Sequence, residues 1–69
     1  MLYLYGSENC TSCKQAMMLL GKTYLEWQYV DVAQIPGWQG DIPILELENG
    51  NMLVGLSAIN QYLVSQGFR

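Results

Sequence analysis

Within its first 32 residues the chain reads strand, helix, strand, an order that leaves few architectures open. Leu2-Tyr3-Leu4-Tyr5 is a run of aliphatic and aromatic residues suited to an inner strand covered on both faces. From Thr11 to about Leu20 the apolar residues recur with helical spacing, with Cys13, Met17 and Leu20 on one face and Ala16 beside them. Gly21 is placed to cap the C-terminus of that helix, and Lys22 suits its negative end. Glu26 to Val32 is rich in aromatic and β-branched residues and reads as a second strand. Two strands joined through a helix make a βαβ unit, parallel and right-handed in its crossover.

The second half follows a different order. Ala33 to Asp41 contains Pro36, Gly37 and Gly40 and is too short and broken for more than one helical turn. After Ile42-Pro43, leucines alternate with glutamates over Ile44 to Glu48, as in a strand. Asn49-Gly50 is the preferred dipeptide of a type I′ turn, so Met52-Leu53-Val54 returns as an antiparallel partner. Gly55 breaks that strand. Ser57 is a natural N-cap for a closing helix in which Ile59, Tyr62 and Leu63 share a face, and Gly67 marks its end. The expected fold is α/β: a four-stranded mixed sheet, βαβ then ββα, with two main helices in a single domain spanning residues 1–69.

Size and charge remove several functions. Sixty-nine residues, 51% of them hydrophobic, suit one small globular core. No apolar run approaches the ~18 residues that cross a bilayer, and no signal-peptide pattern opens the chain. A cytoplasmic monomer is expected. Six acids against Lys14, Lys22 and Arg69 leave a net charge of −3, which argues against nucleic acid or an anionic membrane as partner. With only 13% charged residues, any partner surface should be apolar and hydrogen-bonding.

The chemistry lies in Cys10-Thr11-Ser12-Cys13, which holds both cysteines of the chain where the first strand gives way to the first helix. A dithiol at this spacing cycles to a disulfide. Cys10 would meet the unpaired N–H groups and positive end of the helix, which favour the nucleophilic thiolate. Thr11 and Ser12 offer further hydroxyl or backbone donors. Cys13, a turn deeper, is expected to be the buried resolving thiol. A structural staple is disfavoured because so short a loop constrains the unfolded chain little. Zinc needs four ligands, and the chain has no histidine and no third cysteine. No bound cofactor or metal is expected. An iron–sulfur cluster shared between two chains is the form of metal binding left open. A nucleophilic hydrolase would lack its histidine base.

With these residues in view, the chain resembles the glutaredoxins of the thioredoxin-fold superfamily over nearly its whole length. The resemblance rests on Leu4-Tyr5, Cys10-Thr11-Ser12-Cys13, Tyr29-Val30-Asp31-Val32, Ile42-Pro43 and Val54-Gly55-Leu56-Ser57. It implies a thioredoxin-like fold and thiol–disulfide oxidoreductase activity, with Cys10 as nucleophile and Cys13 as resolving thiol. It also implies a cis bond before Pro43, leaving the Ile42 backbone free to pair with an extended peptide or with glutathione. Leu56 and Ser57 occupy the turn that takes the γ-glutamyl end of glutathione in that family. Thr11 and Ser12 complete the implied binding set.

The reductant implied is glutathione. The alternative is thioredoxin reductase, as for the glutaredoxin-like hydrogen donors of ribonucleotide reductase; either way the substrate is a disulfide-bearing protein. Several features depart from the family pattern. Between Val32 and Pro43 only ten residues stand where a full helix is usual, with Gln34 or Gln39 as the stand-in for its contact to the glycyl carboxylate of glutathione. Ser7, Glu8 and Ser12 stand where a basic residue and an aromatic are frequent, and Ala58 where an acidic pair often follows the glycine turn. Trp38, in the shortened segment, is either a partner contact or cover for a core that has lost a helix.

Overall fold

The computed structural model describes residues 1–68. Four strands form one mixed sheet in the order β2-β1-β3-β4: β1 (Leu2–Gly6), β2 (Trp27–Asp31), β3 (Ile44–Glu46) and β4 (Met52–Val54). Two α-helices, α1 (Thr11–Gly21) and α2 (Leu56–Ser65), complete the α/β architecture. The β1 and β2 strands are parallel, joined through α1, whereas β3 pairs antiparallel with both β1 and β4. The segment between β2 and β3 holds a single 3₁₀ turn, Val32–Gln34, as its prolines and glycines allow. No helix among the described residues is long and apolar enough to cross a membrane.

The register explains where the core lies. Strand alternation sends Leu2, Leu4 and Gly6 to one face of β1 and Tyr3 and Tyr5 to the other. Leu4 pairs with Tyr29 on one side and Leu45 on the other, and Leu45 pairs with Leu53, so an apolar row crosses the sheet. Ala16 and Leu20 of α1 and Ile59 and Leu63 of α2 close over Leu2, Leu4 and Leu45 in a single cluster. Each fully buried leucine or isoleucine contributes roughly 1.5–3 kcal/mol.

Both helices therefore cover the same face. The expectation that β1 is sheltered on both sides is corrected: it is central in the sheet, but Tyr3 on its other face is 39% exposed. The shortened segment supplies no helix there, and a stack of Trp38 on Tyr5, with centroids 5.5 Å apart, covers only part of that face.

Three terminus details also differ from expectation. Gly21 is the last residue of α1 rather than its cap; Lys22 caps it in right-handed geometry, and the Thr23 hydroxyl donates to the Leu20 carbonyl at 2.7 Å. The N-cap of α2 is Gly55, at φ 94° and ψ 157°, and not Ser57, which lies inside the first turn. The loop at Asn49-Gly50 is not type I′, because no described non-glycine residue has positive φ, whereas that turn needs it at both central residues. Instead Gly50 N–H donates to Leu47 at 3.0 Å and Leu47 N–H to Asn51 at 2.8 Å, with Gly50 at φ 90°. That is a three-residue loop closed by a glycine bulge. The end of α2 follows expectation: Gly67 at φ 96° closes it, with Phe68 N–H reaching Leu63 O and Gly67 N–H reaching Val64 O, a Schellman motif.

Candidate active site at the start of helix α1

Cys10 is the N-cap of α1. Its backbone is extended while its carbonyl already accepts the Lys14 N–H at 3.1 Å, and its Sγ accepts the Cys13 N–H at 3.1 Å. A thiol here takes the place of the serine or aspartate oxygen that usually satisfies a first-turn amide. The donor is thus the N–H of Cys13, the third residue of the helix, rather than Thr11 or Ser12. Thr11 is exposed and Ser12 half-buried. Cys10 itself is partly exposed, and both cysteines are free thiols.

Cys13 differs from Cys10 in every respect that governs reactivity. It has no accessible surface. Burial first, then the adjacent Cys10 sulfur, push its thiol up to about 11, while a hydrogen bond from the Ser7 backbone acts in the opposite direction. The pair is therefore one reachable sulfur backed by one protonated, enclosed sulfur.

What lets Cys13 sit so deep is Gly6. A Cβ there would lie 2.9 Å from Cys13 Sγ and 3.0 Å from its Cβ, closer than such atoms approach, so the sulfur packs directly on the β1 backbone. Tyr29 closes the same spot, with its Cε1 3.5 Å from that point. From the sequence Tyr29 is an ordinary strand residue, and Gly6 carries no assigned role. The available signal was a glycine ending the strand that leads into the cysteine pair, since a strand glycine often marks close approach of another element.

The Ile42–Pro43 bond is cis. Pro43 is buried, and its carbonyl accepts the Gly55 N–H at 2.8 Å, which ties this corner to the start of α2. Ile42, Pro43, Leu56 and Ser57 are thereby brought together as neighbouring turns. Because Ile44 pairs with Tyr5, they lie at the end of the sheet where β1 leads toward Cys10. Among the described residues the Ile42 N–H and C=O have no backbone partner, nor have the N–H groups of Leu56 and Ser57.

Ser57 also lines a groove of about 400 Å³ between the two helices, with Gln15, Met18, Leu19, Leu56 and Asn60. Neither cysteine borders that groove. Gln34 and Gln39 are exposed and make no hydrogen bond that would place them at the site. Trp38 is half-buried as cover for Tyr5, whose hydroxyl donates to Glu46 at 2.7 Å. Among the described residues no group of three or more His, Cys, Asp or Glu side chains converges.

Compared with known proteins, the chain matches no protein-family model and no curated protein. The functional reading therefore rests on the site's own geometry and on the sequence resemblance.

Proposed function

We propose that this protein is a dithiol thiol–disulfide oxidoreductase of the glutaredoxin type, built on a pared-down thioredoxin-like fold. The observation that carries the reading is the asymmetry of the pair: an accessible Cys10 sulfur at a helix N-cap, backed by a fully buried Cys13. The strand order, the position of the pair after β1 and the cis bond before Pro43 support it.

In this reading the Cys10 thiolate attacks one sulfur of a substrate disulfide, forming a mixed disulfide and releasing the other substrate sulfur as thiolate. Cys13 then passes its proton to the substrate thiolate released in the first step and attacks the Cys10 sulfur, displacing the second substrate thiolate. Two electrons have passed to the substrate, and the protein holds a Cys10–Cys13 disulfide. A thiol reductant, either two molecules of glutathione or the dithiol of a thioredoxin reductase, returns it to the dithiol. The free backbone groups of Ile42 would hold the substrate chain, and the first-turn amides of Leu56 and Ser57 a carboxylate. Thr11 and Ser12 frame the nucleophile. The protein would act as a cytoplasmic monomer on a disulfide-bearing protein, with ribonucleotide reductase as one candidate.

The test is turnover of a small disulfide with NADPH and either glutathione plus glutathione reductase or thioredoxin reductase. Activity in one or both systems, abolished by Cys10→Ser, is the expected result. Inactivity in both, or full activity of Cys10→Ser, would overturn the reading. Turnover only with thioredoxin reductase would select the hydrogen-donor form of the same chemistry.

A further inference from the structure

Cys13 is inaccessible, yet it lies beside a surface cavity. A pocket of about 460 Å³ opens behind the cysteine pair, lined by Ser7, Glu8, Asn9, Lys14, Met17 and Tyr29. Neither cysteine lines it, but Ser7 and Lys14, the chain neighbours of Gly6 and Cys13, do, and Tyr29 both lines it and lies 3.5 Å from the Cβ position over Gly6 that Cys13 Sγ approaches. The β1 backbone at Gly6 walls the sulfur on one side, the Ser7 backbone hydrogen-bonds to it, and Cys10 lies at the helix N-terminus, its sulfur accepting from the Cys13 N–H. Tyr29 comes from the neighbouring strand, where it pairs with Leu4, and its ring edge borders the same point over Gly6. Backbone walls stay where the sheet holds them, whereas a ring is a wall that one substitution removes.

We propose that Tyr29 is a positioning residue that shields Cys13, its ring closing the pocket behind the pair so that external reagents reach only Cys10. The environment of the phenol fits this placement. Burial first, and after it the acidic groups of Asp31, Cys13, Glu8 and Cys10 nearby, hold it above its ordinary value, which places the ring in the same enclosed corner as the two sulfurs. Its use in turnover follows from chemistry. A resolving thiol open to solvent would be alkylated, or would form mixed disulfides of its own, before Cys10 had a partner. That consequence rests on the disulfide-exchange reading. The shielding does not, and labelling of a single cysteine measures it whether or not the protein exchanges disulfides.

The experiment follows iodoacetamide labelling of Cys13 in Cys10→Ser, in which the serine hydroxyl replaces the sulfur as N-cap acceptor. The same background is combined with Tyr29→Phe, which keeps the ring, and with Tyr29→Thr, which removes it but retains a strand-forming residue. Slow labelling is expected in the parent and within about twofold in Tyr29→Phe, with acceleration of roughly tenfold or more in Tyr29→Thr. Urea separates shielding from unfolding. A local opening gives a labelling rate that is flat at low urea, whereas global unfolding gives one that climbs with the equilibrium slope.

Fast labelling of the parent would overturn the proposal, as would an unaccelerated Tyr29→Thr or equal acceleration by Tyr29→Phe. So would acceleration that tracks global unfolding in urea.

Discussion

One buried thiol and one glycine set the character of the site. Burial, which disfavours the thiolate, pushes the Cys13 thiol from an ordinary value of 9.0 up to about 11. A group raised in this way favours the folded state most below the unfolded value, and that contribution disappears as pH climbs through the folded one. Stability of the reduced protein is therefore predicted to fall between about pH 9 and pH 11, by on the order of 2 kcal/mol. Tyr5 and Tyr29 are also raised and act in the same direction at the alkaline end, so the cysteine's share is the difference between wild type and Cys13→Ala. Urea denaturation across that pH range checks it, and equal pH slopes for the two proteins would contradict it. The difference in burial between the sulfurs was legible in the sequence, since the first cysteine falls at the helix cap and the second faces the core with Met17. Gly6 was not, because the need for a missing Cβ is a property of the approach between α1 and β1, which no local pattern encodes. Nor was the donor to Cys10 Sγ, since Thr11 and Ser12 have more obvious polar groups than the Cys13 amide that does the work.

The elements were readable where their signal is periodic and misread where it depends on one dihedral angle. Apolar spacing locates both helices and all four strands to within two residues, because burial against a common core is what creates the spacing. Ser57 has good N-cap chemistry, yet the chain enters α2 through Gly55, in a region of positive φ and extended ψ that only glycine adopts without strain. The hairpin shows the same limit: Asn49-Gly50 marks the turn correctly, but only Gly50 takes positive φ, so the loop carries one more residue than type I′. Two substitutions separate the roles at α2. Gly55→Ala should destabilise by about 1–3 kcal/mol, whereas Ser57→Ala, which removes no cap bond, should stay within about 0.5 kcal/mol. Chemical denaturation measures both. A larger loss at Ser57 than at Gly55 would return the cap to the serine.

The molecule taken together is a sheet dressed on one side. Both helices pack over Leu2, Leu4 and Leu45, and the other face carries Tyr3, Met52 and Val54 at 39%, 57% and 51% exposure. The short segment between β2 and β3 gives that face Trp38 in place of a helix, stacked on Tyr5 near the cysteine end. The indole Nε1 is buried without an acceptor, so it adds a desolvation cost and no hydrogen bond. Trp38→Phe should therefore keep stability within about 0.5 kcal/mol or raise it, while Trp38→Ala should cost about 1–2 kcal/mol with the stack. Thermal unfolding of the two variants checks this; equal losses would show that the indole N–H, not the ring, matters. The roles proposed for the two cysteines are read directly by trapping. Cys13→Ser is mixed with a disulfide-bearing peptide and the adduct is mapped by mass spectrometry, with Cys10→Ser as control. A stable mixed disulfide at Cys10, absent from the control and resolved in the wild type to the Cys10–Cys13 bridge, is the predicted result. No adduct at Cys10, or an adduct forming at Cys13 in the control at the same rate, would contradict it.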